Sequence, residues 1–121
     1  MNERDELLHI ALPDDWSAAR SDGEYRVSTR NRSLDDEGFI HCSYPRQLEA
    51  VANRYYHDVP EVVILHLDPE LLDAELRVEP PAPDSDELFP HVYGPIPGSA
   101  VVATTWWDRD DDGLWRKPVT I

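Results

Sequence analysis

Two short stretches carry side chains of types that do chemistry. GFIHCSYPRQL holds His41, Cys42 and Ser43, and FPHVYGPIPG holds His91 and Tyr93. Imidazoles move protons or donate to anions, a thiolate attacks, and hydroxyls hold phosphate or carboxylate oxygens. Strand parity sorts the first group. In an extended GFIHCS, Phe39, His41 and Ser43 point one way while Ile40 and Cys42 point the other. A Cys–His nucleophilic pair is therefore excluded, and Cys42 reads as a small buried hydrophobe. His9, in LLHIAL, stands on the side opposite Leu8 and Ile10 by the same rule. His66, inside VVILHL, reads as a satisfied buried histidine, and His57, after a helix, as an exposed one. Two histidines on strands that flank a basic loop point to a cleft, with His9 and His41 opening onto it.

The basic loop is visible as a local reversal of charge. From Tyr25 to Leu34 there are three arginines, Arg26, Arg30 and Arg32, and no acid, in a chain of net charge −14. Two readings stand side by side: an anion clamp for phosphate or carboxylate, or arginines paired with surrounding acids. Leu88 to Trp107 contains no charged residue at all. The three prolines and two glycines of FPHVYGPIPG make that part look unlike a strand. It is expected either to wall a pocket with His91 and Tyr93 or to pack as a closing turn.

These side chains need elements to position them. Leu7 to Leu12 reads as a strand and PDDWSAARSDG as a short helix, with Pro13 at its start and Gly23 at its stop. Tyr25 to Val27 reads as a short strand before a polar loop through Asn31. A strand from Gly38 to Cys42 follows. Ser43 reads as the N-cap of a helix from Tyr44 to about Tyr56, with Leu48, Val51, Ala52 and Tyr55 on its apolar stripe. Val62 to Leu67 reads as a central strand, Pro69 to Leu72 as a turn, and Glu75 to Glu79 as a strand. A loop from Pro80 to Glu87 leads on to strands at Ser99 to Trp107 and Leu114 to Thr120. Many strands with two helices in the N-terminal half define an α+β domain.

The whole chain bounds these readings. Its 121 residues suit one domain, and 40% apolar content supports a core despite 30% charged residues. The strong acidity argues against nucleic acid and anionic membranes as partners, because phosphate backbones are bound by Lys and Arg. A single cysteine excludes an internal disulfide and suits the cytoplasm. MNERDELL has neither the apolar run of a signal peptide nor that of a membrane span. No CxxC or HExxH spacing is present, so no metal ligand is assigned.

LLHIALPDDW, GEYRV, RSLDDEGFIHCS, Gln47, ANRYY, VVILHLDPELLDAELRVEP and ELFPHVYGPIPGSAVV together resemble the bacterial domain of unknown function 952 family, in order from about residue 7 to 102. The resemblance implies an ADP-ribosylation-like fold, two small antiparallel sheets around a cleft. It implies His9 and His41 as catalytic residues, with Ser43 beside His41 and Glu79 as the carboxylate that steadies an oxocarbenium-like ribose. Gln47 joins Arg26, Arg30, Arg32, Ser43, His91 and Tyr93 as expected ligand contacts. Three functions follow as expectations: transfer or hydrolysis at the glycosidic carbon of NAD or another ADP-ribose compound, with NAD as a substrate; a non-catalytic nucleotide or small-anion binding module; or a metal-binding or interaction domain using His41 and His91. The expected partner is a small nucleotide or other anionic ligand.

Overall fold

The computed structural model describes residues 6–118 and Ile121. Among them are two three-stranded antiparallel sheets, two short two-stranded ribbons and three α-helices. The first sheet has the order β1-β6-β10, from Leu7–Ala11, Glu61–Leu67 and Val101–Asp108. The second has the order β5-β8-β7, from Ile40–His41, Phe89–Val92 and Leu76–Glu79. The ribbons are β2 (Glu24–Tyr25) with β9 (Ile96–Pro97), and β3 (Val27–Thr29) with β4 (Arg32–Ser33). Helices α1 (Pro13–Asp22), α2 (Leu34–Glu37) and α3 (Pro45–Tyr55) complete the set. This is an α+β protein.

The run VVILHL forms the middle strand because both of its faces are covered. Val62 and Ile64 join Leu8 and Ile10 under α3, with Leu48, Ala52, Tyr56, Trp107 and Trp115. Val63, Leu65 and Leu67 join Leu7 and Ala11 on the opposite face, where Tyr25, Ile40, Cys42, Val92 and Ile96 complete a second core. A two-sided strand cannot show polar alternation, which is why the sequence reads as nearly continuous apolar residues. Fully burying one leucine such as Leu48 contributes about 1.5–3 kcal/mol relative to leaving it exposed.

A single antiparallel bridge ties the two sheets together. Leu8 N–H donates to the Ser43 carbonyl at 2.9 Å, and Ser43 N–H returns to the Leu8 carbonyl at 2.7 Å. The chain then enters α3 directly. The N-cap is Tyr44 and not Ser43, and Gln47 Oε1 accepts the Tyr44 N–H at 3.0 Å. Ser43 is occupied by the inter-sheet bridge, so the capping position falls one residue later. Tyr56 rather than Tyr55 finishes the core face of the helix; Tyr55 is 52% exposed.

Several further local expectations are corrected. The strand expected at Tyr25 to Val27 divides into β2 and β3, and Asn31, at φ 63°, makes the tight link between β3 and β4. Helix α2 was not foreseen. Its short body is held by a capping box, in which Ser33 Oγ accepts the Asp36 N–H and Asp36 Oδ2 accepts the Ser33 N–H, each at 3.1 Å. FPHV is a central strand despite Pro90, whose carbonyl accepts the Cys42 N–H at 3.0 Å. Ser99 and Ala100 belong to a 3-10 turn that precedes β10. Residues 114–118 form no strand. They are fastened by side chains instead: Asn53 exchanges hydrogen bonds with the Trp115 backbone, and Trp115 Nε1 donates to the Tyr56 carbonyl at 2.9 Å. Val119 and Thr120, the end of that expected strand, lie outside the described residues. Among the described residues no helix is long and apolar enough to cross a membrane.

Candidate functional site

The second sheet shows one face to the core, through Ile40, Cys42, Val92 and Leu76. Alternation therefore sends Phe39, His41, Phe89, His91, Arg77 and Glu79 to the other face. The register places His41 beside His91, His91 beside Arg77, and Phe89 beside Glu79. Three short strands thus assemble a polar and aromatic surface from residues far apart in the chain.

At the edge of this surface lies a pocket of about 440 Å³. The β3–β4 hairpin supplies Arg30 and Arg32, α2 supplies Glu37, and β5 and its extension supply His41 and Ser43. Tyr55 and Val51 of α3, with Phe89 and Pro81, form the apolar walls. His41 Nε2 lies 3.3 Å from Glu37 Oε1. Burial lowers the pKa of the His41 ring, the Glu37 hydrogen bond opposes that shift, and His91 reinforces it. His41 is accordingly a neutral imidazole near pH 7, able to donate from one nitrogen and accept at the other.

The arginine island divides three ways. Arg26 turns away and pairs with Glu24 at 2.9 Å and Asp35 at 3.3 Å. Arg30 grips Asp58 through both terminal nitrogens, the Nη2–Oδ2 contact being 3.1 Å, and donates to the Tyr55 carbonyl at 3.2 Å. That grip pulls the Asp58 carboxyl down to about 2. Arg32 borders the pocket and has no carboxylate partner among the described residues. The pairing reading holds for Arg26 and Arg30, and Arg32 stands at the pocket edge.

His9 does not open onto the pocket, contrary to expectation. Its ring is 2% exposed and both nitrogens are engaged. Nδ1 lies 2.6 Å from the His41 carbonyl oxygen and Nε2 lies 2.8 Å from the Tyr25 hydroxyl. Burial drives its pKa down to about 4. Parity had placed it correctly opposite Leu8 and Ile10, but that face also belongs to a core. His9 touches the site through the backbone of His41, not through its own ring.

Glu79 is placed at the end of β7, beside His91 and not on the pocket wall. Its Oε1 accepts from Tyr93 Oη and lies 2.9 Å from His91 Nδ1. The hydrogen bond from Tyr93 and then that from His91 hold its carboxyl below the usual range. His91 meets the His41 ring edge-on, with centroids 5.2 Å apart, and is overlain by Phe39 at 4.1 Å and 24°. Tyr93 carries the Arg77 guanidinium over its ring at 4.4 Å and faces a separate pocket of about 390 Å³ with Gly94, Pro95 and Pro97. FPHVYGPIPG thus divides between a strand inside the site and the wall of a different hollow. Gln47 is buried and its amide is used up: Nε2 donates to Glu87 Oε2 at 2.9 Å and to the Leu88 carbonyl at 2.8 Å. It holds the approach to β8 against α3 and does not line the pocket.

Phe39, Phe89, Tyr55, Glu37 and Tyr25 are not among the site residues expected from the sequence. Phe39 shares the parity of His41, so the sequence held that signal. No local pattern brings Tyr25 to His9 or Phe89 to the pocket. Among the described residues no three His, Cys, Asp or Glu side chains gather in a way that holds a metal ion.

The fold and site together define a small α+β domain with a histidine- and arginine-bordered pocket. The chain belongs to the family described as protein of unknown function (DUF952), which matches residues 10–104. Among solved structures it is similar to the crystal structure of protein CC0527 from Caulobacter crescentus, with TM-score 0.77 and 27% identity over 92% of this chain and 93% of that one. The solution NMR structure of CC0527 is similar as well, with TM-score 0.69 and 29% identity over 92% of this chain and 91% of that one. No curated protein matches the chain.

Proposed function

We propose that the protein binds a small phosphate- or carboxylate-bearing molecule in the His41 pocket. The observation that carries this reading is the convergence of Arg32, His41 and Ser43 on one partly apolar hollow. Arg32 supplies charge and a planar fork of donors, Ser43 a hydroxyl donor, and Tyr55 and Phe89 flat apolar surface, while the neutral His41 ring, its Nε2–H turned to Glu37, offers an acceptor at Nδ1. The volume of about 440 Å³ lies within the range of ordinary small-molecule sites. A nucleotide suits this combination, and NAD or another ADP-ribose compound belongs to the same reading, as does the ADP-ribosylation-like topology. Calorimetric titration with ADP-ribose at two salt concentrations tests it. Binding that weakens as salt rises and is lost in Arg32→Ala supports the proposal; no heat at millimolar ligand sinks it.

Turnover at the glycosidic carbon is a second reading, favoured by the ionised Glu79 held one residue's width from His41 through His91. Such a carboxylate has the charge needed to steady a positive ribose. The variant Glu79→Gln then abolishes NAD cleavage while sparing binding. A binding module shows no cleavage in either form.

A further inference from the structure

We infer that the Glu79–His91 pair recognises an uncharged hydroxyl or N–H of the ligand, so that the site takes a phosphorylated sugar or similar polyol phosphate over a bare anion. This rests on the anion-binding reading above and adds to it a second, uncharged point of recognition. His91 Nδ1 lies 2.9 Å from Glu79 Oε1. An ionised carboxylate only accepts, so Nδ1 holds the proton and, in the neutral ring, Nε2 holds the lone pair. Nε2 is buried and has no hydrogen-bond partner among the described residues, and the residue is 1% exposed. Buried acceptors are normally matched, and a carboxylate–imidazole pair with a bare second nitrogen is the arrangement that takes a proton donor. His9 makes the contrast, since the protein itself engages both of its nitrogens.

The position suits a ligand in the adjoining pocket. His91 is directly across from His41 and two residues from Phe89, both of which line that pocket. The His91 ring therefore stands on the same sheet face as they do. What covers it is the half-buried ring of Phe39. The Phe39 carbonyl accepts from the buried Ser28 hydroxyl and its ring also packs against His41 and Tyr93, so His91 is reached by a rotation of the Phe39 side chain with the backbone held in place. Turning it aside uncovers His91 without disturbing the core face of the sheet. Arg32 and the Ser43 hydroxyl then hold the anionic end while a hydroxyl of the same ligand donates to Nε2.

The test compares ribose 5-phosphate with inorganic phosphate on the intact protein at low salt. Wild type is expected to bind the sugar phosphate more tightly. His91→Phe should weaken that binding about 3- to 10-fold, the loss of one neutral hydrogen bond, and leave phosphate unchanged. In wild type, the His91 Nε2 nitrogen resonance should move on adding ribose 5-phosphate and stay still with phosphate; this decides the matter even if His91→Phe does not fold. Equal affinity for the two ligands, an unaltered variant or a stationary resonance at saturation overturns this inference and leaves anion binding standing. Failure of wild type to bind either ligand overturns both.

Discussion

His9 and His41 are joined by one hydrogen bond, yet their rings sit in different media. His41 is partly exposed at a pocket, whereas His9 is sealed in a core between β1 and Tyr25. Burial disfavours the charged ring, so the folded pKa of His9, about 4, lies below the unfolded value near 6.5. Between those values the unfolded chain binds the extra proton, and stability must fall as pH falls. The contribution is fully present above about pH 6.5 and is lost toward pH 4, about 3 kcal/mol in all. Urea unfolding of wild type and His9→Gln at pH 4.5 and pH 7 measures it. The variant should show a shallower pH dependence; an identical slope would mean that His9 titrates normally. Cys42 illustrates the same effect on a thiol, since burial alone pushes its pKa up and removes it from nucleophilic chemistry near neutral pH.

Among the elements, β8 and α3 decide whether a site exists. β8 is the middle strand of the second sheet and carries His91 and Phe89, and its approach is held to α3 by Gln47. The Gln47 side chain accepts from Tyr44 N–H at the helix start and donates to Glu87 and to the Leu88 carbonyl. Replacing it removes the partners of the part-buried Tyr44 N–H and of the Leu88 carbonyl, each hydrogen bond contributing about 0.5–1.5 kcal/mol. Gln47→Ala should therefore unfold at lower denaturant, with an unchanged slope against denaturant concentration. It should also weaken ligand binding, because Phe89 loses its anchor. A variant as stable as wild type would show that the Gln47 contacts contribute nothing net. Gly38, at φ 85°, ends α2 and aims Phe39 and His41, a conformation that glycine adopts without the steric cost borne by other residues.

At the scale of the molecule, charge acts in two opposed ways. A net charge of −14 makes the compact state repel itself, and added salt relieves that repulsion. The same salt screens the attraction between Arg32 and an anionic ligand. Raising sodium chloride from about one hundredth molar to about half molar, across which the Debye length shrinks severalfold, should raise Tm while weakening ligand binding. Differential scanning calorimetry and titration on the same samples check both signs. A Tm that falls with salt would show that the surface ion pairs of Arg26, Arg77 and Arg116 outweigh the general repulsion.

Local pattern alone determined much of this protein. Apolar runs and parity placed β1, β6, α1 and α3, sent Cys42 inward, and put His41 on the face away from Ile40, because those choices depend on neighbours two to four residues apart. The basic hairpin stood out for the same reason. Tertiary structure decided which exposed-looking faces are covered. Parity showed that His9 leaves the Leu8 face but could not show that Tyr25, Ile40 and Val92 bury the other one. It could not show that Asp58, distant in sequence, neutralises Arg30 while Arg32 is left at the pocket. Nor could it turn a proline-bearing stretch into the strand that sets His91 between Glu79, Phe39 and His41. Burial and pairing are made by residues that meet only when the sheets close, and a one-dimensional pattern carries no record of which surfaces will meet.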